Sequence, residues 1–333
     1  MYRAAGRASG PGMRVERAGV VGAGTMGAAI AELFAFNGIP VLLLDVDRPA
    51  LERGLVRVRS LVEELVAFHA GRSDRELERL REVGVELTEE QQGRLRSRLA
   101  PKVSAERGRE IVGRVEATTD WERFRSADLV VEAVFEREQS KRPVLERLDA
   151  ILPEHAVLGT NTSSLSVTRL ARGLAHVGQT LGVHFFNPPS TLPLVEVAAG
   201  VDTRESVVTE TVEFLQGLRN HRYPLLPIRV KESPGFVVNR ILLPVLNEAC
   251  FALEEGVASS RDIDAAMKAG AGLPMGPFEL ADLIGLDVTL EVAETLARTT
   301  GDPKYRAAPI LRRLVDAGHL GRKTGRGFYD YTA

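Results

Sequence analysis

Four separated residues carry groups able to move a proton and hold an oxygen. His184 closes the apolar run Leu181-Gly182-Val183, and Glu196 sits in Leu194-Val195-Glu196-Val197, beyond a turn containing Pro188, Pro189 and Pro193. Histidine titrates nearer neutral pH than any other side chain, which suits it to taking a proton from an alcohol. A carboxylate against one ring nitrogen fixes the tautomer and stabilises the imidazolium. A lone histidine at a strand end is as readily an ordinary core residue. A glutamate flanked by Leu-Val and Val-Ala, however, should not be buried without a partner, and that pairs the two. Ser163, in Thr160-Asn161-Thr162-Ser163-Ser164, and Asn239, in Pro234-Gly235-Phe236-Val237-Val238-Asn239, could each hydrogen-bond a substrate oxygen. By residue type alone, Ser163 reads more readily as a turn or cap residue and Asn239 as a helix cap.

A second constellation is Gly22-Ala23-Gly24-Thr25-Met26-Gly27. Gly22 permits a tight turn after a strand, Gly24 lets backbone approach a pyrophosphate, and Gly27 lets the following helix pack close to the sheet. The helix start then offers N–H groups and partial positive charge to phosphates. Asp45 lies about twenty residues on, where a carboxylate accepts from the adenosine ribose and would repel a 2′-phosphate. NAD is favoured over NADP, although Arg48 nearby leaves NADP tolerance open; FAD is the lesser alternative.

These residues need elements to position them. Ala18–Val21 and Val41–Leu44 read as buried strands flanking a helix over Thr25–Asn37 that stops at Gly38, a right-handed βαβ unit. Pro49 to about Ala100 is highly charged and predicts two or three exposed helices hinged near Gly71 and Gly84. Ser73-Asp-Arg-Glu76 and Thr88-Glu-Glu-Gln91 both fit capping boxes. Further strands are predicted at Leu129–Glu132, Ala156–Gly159, Thr180–His184 and Leu194–Ala198, with helices at Gln139–Leu152 and Arg204–Leu218. Near Ile228 to Pro234 strands stop. Helices are then expected at Asn239–Gly256, which is apolar enough to be buried, and at Ser260–Ala269, Pro277–Arg298 and Ala308–Ala317. The expected fold is α/β: a Rossmann-type doubly wound sheet with a helical hairpin insertion, followed by a smaller all-α C-terminal domain. The expected boundaries are a disordered tail at 1–12, a nucleotide-binding domain at 13–228 with its insertion at about 48–112, and a helical substrate and dimerisation domain at 229–333.

With 333 residues the chain can bury two cores. Its 43 basic and 45 acidic residues nearly cancel, so no general field draws it to nucleic acid or to an anionic membrane. No apolar run is long enough to span a bilayer. The one cysteine, Cys250, cannot form an internal disulfide; it reads as a core residue of a protein in a reducing compartment, taken here as the cytoplasm. No cluster of metal ligands is expected.

Taken together, these motifs resemble the L-3-hydroxyacyl-CoA dehydrogenase family, and its short-chain 3-hydroxybutyryl-CoA branch in particular, from about Val20 to Tyr331. The segments that carry the resemblance are Gly-Ala-Gly-Thr-Met-Gly, Asn-Thr-Ser-Ser-Leu, His-Phe-Phe-Asn-Pro, Leu-Val-Glu-Val, Pro-Gly-Phe-Val-Val-Asn-Arg, Pro-Met-Gly-Pro-Phe-Glu-Leu and Gly-Arg-Lys-Thr-Gly-Arg-Gly-Phe-Tyr. The resemblance implies NAD-dependent oxidation of a 3-hydroxyacyl-CoA in fatty acid or butanoate metabolism, such as β-oxidation. It casts His184 as general base, Glu196 as its orienting carboxylate, and Ser163 and Asn239 as holding the substrate oxygen and the nicotinamide end. It adds Glu136, Lys141 and Lys323 as NAD contacts; unaided, Lys141 reads as a helix-face charge and Lys323 as a tail charge. It further implies an acyl-CoA partner and a homodimer built through the C-terminal helical domain.

The chain departs from the family pattern in two places. The segment between Asp45 and Asp120 looks longer than is usual. Relatives place a serine and a lysine for CoA there, whereas this chain offers Ser60 out of register by about one place and arginines instead of the lysine, so those contacts are not carried over. Arg57, Arg59 and Arg72 read as a solvated basic face at least as readily as a site for phosphates. Pro-Pro-Ser-Thr-Leu-Pro after His-Phe-Phe-Asn differs from common versions and bears on the acyl pocket. The rival expectations are a dehydrogenase of a non-CoA hydroxy acid, of L-gulonate or carnitine type, and a catalytically silent NAD-binding scaffold.

Overall fold

The computed structural model describes residues 13–101 and 103–332; the tail expected at 1–12 lies outside them. The chain divides into two compact units. The first gathers the chain up to Thr162 with Val167–Val230, and the second gathers Ser163–Ser166 with everything from Lys231 on.

The first unit contains, in order, β1 (Ala18–Val21), α1 (Thr25–Phe36), β2 (Val41–Leu44), α2 (Arg48–Ala70), α3 (Arg72–Glu82), α4 (Glu89–Arg98), α5 (Ala105–Gly113), β3 (Val115–Thr118), β4 (Leu129–Glu132), α6 (Glu138–Asp149), β5 (Val157–Thr160), α7 (Val167–Ala171), β6 (Thr180–Phe185), β7 (Leu194–Ala199) and α8 (Glu205–Gln216), and it closes with β8 (Leu226–Lys231). The eight strands form one sheet in the order β3-β2-β1-β4-β5-β6-β7-β8. Pairing is parallel from β3 through β6 and antiparallel between β6 and β7. Strands covered on both faces must be apolar throughout, and β1, β2, β4 and β5 are buried along their whole length. The strand order reverses direction between β1 and β4, which opens a crevice at their C-terminal ends.

Several elements differ from the sequence expectation. β3 is an edge strand buried only at its two ends, Val115 and Thr118, and its mixed Val-Glu-Ala-Thr gives no apolar run to find. β8 is a strand that the sequence expectation lacks; it ends at Lys231, within the Ile228 to Pro234 stretch where strands are expected to stop, and the units divide at 230/231 rather than 228/229. The Ser163–Ser166 segment belongs with the second unit, where Ser166 Oγ donates to Glu232 at 2.5 Å. The charged segment is not uniformly exposed: α2 buries Leu51, Gly54, Val58, Val62 and Leu65, a stripe at helical spacing that packs on α1 and α5. Ser73 caps nothing, because α3 starts at Arg72 immediately after Gly71 and Ser73 is already inside its first turn. The Thr88–Gln91 capping box is present.

The second unit is helical: α9 (Val238–Glu254), α10 (Ser260–Ala271), α11 (Pro277–Ile284), α12 (Leu286–Thr300) and α13 (Pro309–Asp316). The single helix expected over Pro277–Arg298 is two, broken at Gly285, whose φ of 104° no helix can continue through. α9 is buried on one face only; Ile241 stays 64% exposed. Its core joins Leu246, Ala281, Leu286, Leu290 and Leu311. The buried carboxylate of Asp282 accepts from the Phe328 and Tyr329 amides (2.9 and 3.0 Å) and from the Tyr331 hydroxyl (3.0 Å). It thereby ties the Gly-Phe-Tyr tail to the helix that begins Pro-Phe-Glu-Leu.

Candidate active site

β6 and β7 form the antiparallel arm of the sheet, and their register sets His184 directly opposite Glu196. Side chains on directly opposed residues share a face, so the pairing follows from the register. His184 Nδ1 lies 2.8 Å from Glu196 Oε2, with the side chains 8% and 0% exposed. The imidazole also packs against the Phe186 ring, centroid to centroid 4.5 Å. With Nδ1–H donated to the carboxylate, the tautomer is fixed and Nε2 is the atom suited to accept a proton.

The other two candidates lie in the second unit. Ser163 falls in the short segment after β5, and Asn239 is the second residue of α9. Val237 is the residue that precedes the helix and Asn239 lies inside its first turn, so Asn239 is not the helix cap its position suggested.

The dinucleotide fingerprint is built as its glycines require. Gly22 has φ 103°, and a Cβ there would meet the Ala133 carbonyl oxygen at 2.7 Å. A Cβ on Gly27 would lie 1.7 Å from the Gly22 oxygen, so α1 can lie this close to the turn only without a side chain. Gly24 faces open space instead. α1 begins there with no capping side chain and no acid in its first turn, and Thr25 and Met26 lie in that turn. Its N–H groups therefore face outward for a phosphate. Asp45 follows β2 and accepts from the Ala23 amide at 2.6 Å and the Val46 amide at 2.7 Å, which fixes the carboxylate beside the fingerprint. This set suits NAD: an open anion-binding helix start with an acid anchored next to it.

Sequence reasoning missed two parts of this wall. A Cβ on Gly54 of α2 would touch Ala23 at 2.6 Å, and Arg57 Nη1 reaches the Ala23 carbonyl at 3.4 Å. In the sequence Arg57 stands out only as one of three arginines near the family's CoA positions. The spacing of Gly54 on the α2 stripe was the available signal.

The three NAD contacts implied by resemblance have distinct settings. Lys141 is no helix-face charge; its side chain is 1% exposed. Its ammonium donates to Glu132 Oε1 at 2.9 Å and to the Val134 carbonyl at 3.1 Å, and it lies 3.3 Å from Glu136 Oε2. Glu136 also accepts from Thr162 Oγ1 at 2.6 Å. Lys323 pairs with Asp287 at 2.5 Å within the second unit. Cys250 is buried, and that burial, with Glu254 adding to it, pushes its thiol up to about 12, far from the thiolate form a nucleophile needs. Among the described residues no group of three or more His, Cys, Asp or Glu could hold a metal ion, and no helix is long and apolar enough to cross a membrane.

Residues 17–86 and 74–232 match the family model described as 3-hydroxyacyl-CoA dehydrogenase, NAD binding domain, and residues 235–331 match that of the C-terminal domain. The two pieces of the first match overlap at 74–86, in α3 and the loop after it. A probable 3-hydroxybutyryl-CoA dehydrogenase of Deinococcus radiodurans is 40% identical over 94% of this chain and 99% of its own. A 3-hydroxybutyryl-CoA dehydrogenase of Bradyrhizobium diazoefficiens is 37% identical over 95% and 96%. The crystal structure of (S)-3-hydroxybutyryl-CoA dehydrogenase from Ralstonia eutropha superposes with a TM-score of 0.76 at 37% identity, covering 96% of this chain and all of that one. The chain therefore belongs to the 3-hydroxyacyl-CoA dehydrogenase family. It is an oxidoreductase, and NAD is its cofactor.

Proposed function

We propose that this chain catalyses the reversible oxidation of (S)-3-hydroxyacyl-CoA to 3-oxoacyl-CoA, with 3-hydroxybutanoyl-CoA as its substrate. The observation that carries this reading is the buried His184–Glu196 pair at 2.8 Å. NAD, when bound, supplies the hydride acceptor. His184 Nε2 takes the proton of the C3 hydroxyl, and Glu196 holds the imidazolium that results. A buried cation is costly without its counter-ion, so the 0% exposed carboxylate lowers the barrier by being in place before the proton moves. Ser163 and Asn239 hold the substrate oxygen and the nicotinamide end. The start of α1 with Gly22, Gly24, Thr25, Met26 and Gly27 receives the pyrophosphate, Asp45 the adenosine ribose, and Glu136, Lys141 and Lys323 are further contacts to NAD.

The relatives' names support the four-carbon substrate. They also favour this reading over an L-gulonate or carnitine type of dehydrogenase and over a silent scaffold. A role in fatty acid metabolism by β-oxidation, in the cytoplasm, accords with that substrate. A homodimer through the helical unit is supported by the exposed apolar side chains of Ile241, Val245, Leu283, Ile284 and Val288 on α9, α11 and α12. The test is spectrophotometric: NADH oxidation with acetoacetyl-CoA should be fast, and with free acetoacetate negligible. Turnover of the free acid in preference to the thioester would move the chain to the non-CoA class, and no turnover of either would leave a scaffold.

A further inference from the structure

The sheet ends on a buried carboxylate that the reaction does not use. Glu132 is the last residue of β4, beside β1 at the point where the strand order reverses, and its side chain is 0% exposed. Oε1 accepts from the Val134 amide at 2.7 Å and from Lys141 Nζ at 2.9 Å; Oε2 accepts from Thr160 Oγ1 at 2.6 Å and from Lys141 at 3.2 Å. One carboxylate thus fixes the peptide at Val134, the lysine of α6 and the end of β5. A buried charge this fully partnered holds its surroundings in a single arrangement, since any rearrangement strands a charge away from water.

The loop it holds touches the dinucleotide turn. The Ala133 amide donates to the Val21 carbonyl at 2.8 Å. A Cβ on Gly22 would meet the Ala133 oxygen at 2.7 Å and the Val134 nitrogen at 3.1 Å. The peptide gripped by Glu132 is therefore the surface against which the first fingerprint glycine packs. Further along the same loop is Glu136, 3.3 Å from the lysine that Glu132 holds.

We propose that Glu132 is a positioning residue of the cofactor site: through Val134 and Lys141 it sets the loop between β4 and α6 against the Gly22 turn, and so sets the shape of the crevice that receives the nicotinamide half of NAD. This rests on the assignment of that crevice to NAD. All of its partners donate, so a carboxamide at 132 must turn an N–H onto a donor and push the loop away.

The experiment is a fluorescence titration of NADH, without substrate, on the full-length parent, Glu132→Gln and Thr160→Val, each first checked by circular dichroism and thermal melting. The Kd for NADH should rise about tenfold in Glu132→Gln and less in Thr160→Val, which removes one hydrogen bond and no charge, because displacements below an ångström are costly in a preorganised site. In turnover, KM for NAD should rise with the Kd while kcat changes far less. A merely structural role would lower the melting temperature and leave Kd and KM alone. A folded Glu132→Gln that binds NADH as the parent does overturns the proposal. Should that variant not fold, an unchanged Kd in Thr160→Val overturns it instead. A parent that fails to bind NADH would show that the cofactor assignment itself is wrong.

Discussion

His184 and Glu196 stand opposite each other across β6 and β7, and the 2.8 Å contact between Nδ1 and Oε2 is a consequence of strand register. A shift of one residue would send the carboxylate to the other face of the sheet. The antiparallel return of β7 thus places the second half of the proton-transfer apparatus.

Glu196→Gln keeps the shape and removes the charge. With the imidazolium no longer stabilised, kcat for acetoacetyl-CoA reduction should fall by about a hundredfold to ten-thousandfold. The Kd for NADH should be unchanged, since the side chain belongs to the histidine. Steady-state kinetics with a parallel NADH titration checks both, and a kcat near that of the parent would contradict the role.

Gly24→Ala and Gly27→Ala should separate binding from folding. A methyl at 24 meets no atom within 4 Å, so stability should stay within about 0.5 kcal/mol. That methyl projects where the phosphates approach, and NADH binding should weaken about tenfold. A methyl at 27 would lie 1.7 Å from the Gly22 oxygen, and this variant should lose stability as well as binding. Urea unfolding with NADH titration distinguishes the two patterns; equal behaviour of the two variants would refute the packing argument.

Asp149 predicts a pH dependence of stability. Burial opposes its charge, but the amides of His176 and Ala175 and the His176 ring overcome this and hold its carboxyl below the usual range. A depressed folded-state pKa contributes stability above the unfolded value, and that stability is lost as pH falls through the folded value. Asp149→Asn should cost about 1–2 kcal/mol at neutral pH. The gap from the parent should close as pH drops below about 3.9, the value for a free aspartate. Urea midpoints across that range check the sign; a gap that widened in acid would reverse it.

Much of this was legible in the sequence, for identifiable reasons. The β1–α1–β2 unit announces itself as two apolar runs around a glycine turn, and Glu196 is conspicuous as an acid inside an apolar strand. The same argument applies to Glu132, which ends the apolar run Leu129-Val130-Val131. Lys141 looked exposed because its helix is rich in charge, yet it stands four and seven residues before the buried Leu145 and Leu148, on the core stripe. β3 was hidden because an edge strand need not be apolar. The break at Gly285 was hidden because apolar spacing continues through it, and Ser73 misled because a capping pattern cannot report that the preceding helix runs up to Gly71.

The most direct test of the account is His184→Gln, measured two ways. The account predicts that kcat falls by about a hundredfold to ten-thousandfold while the protein melts normally and binds NADH with the affinity of the parent. Turnover close to that of the parent in a folded His184→Gln would contradict the assignment of the proton to this imidazole, and with it the chemistry proposed for the chain.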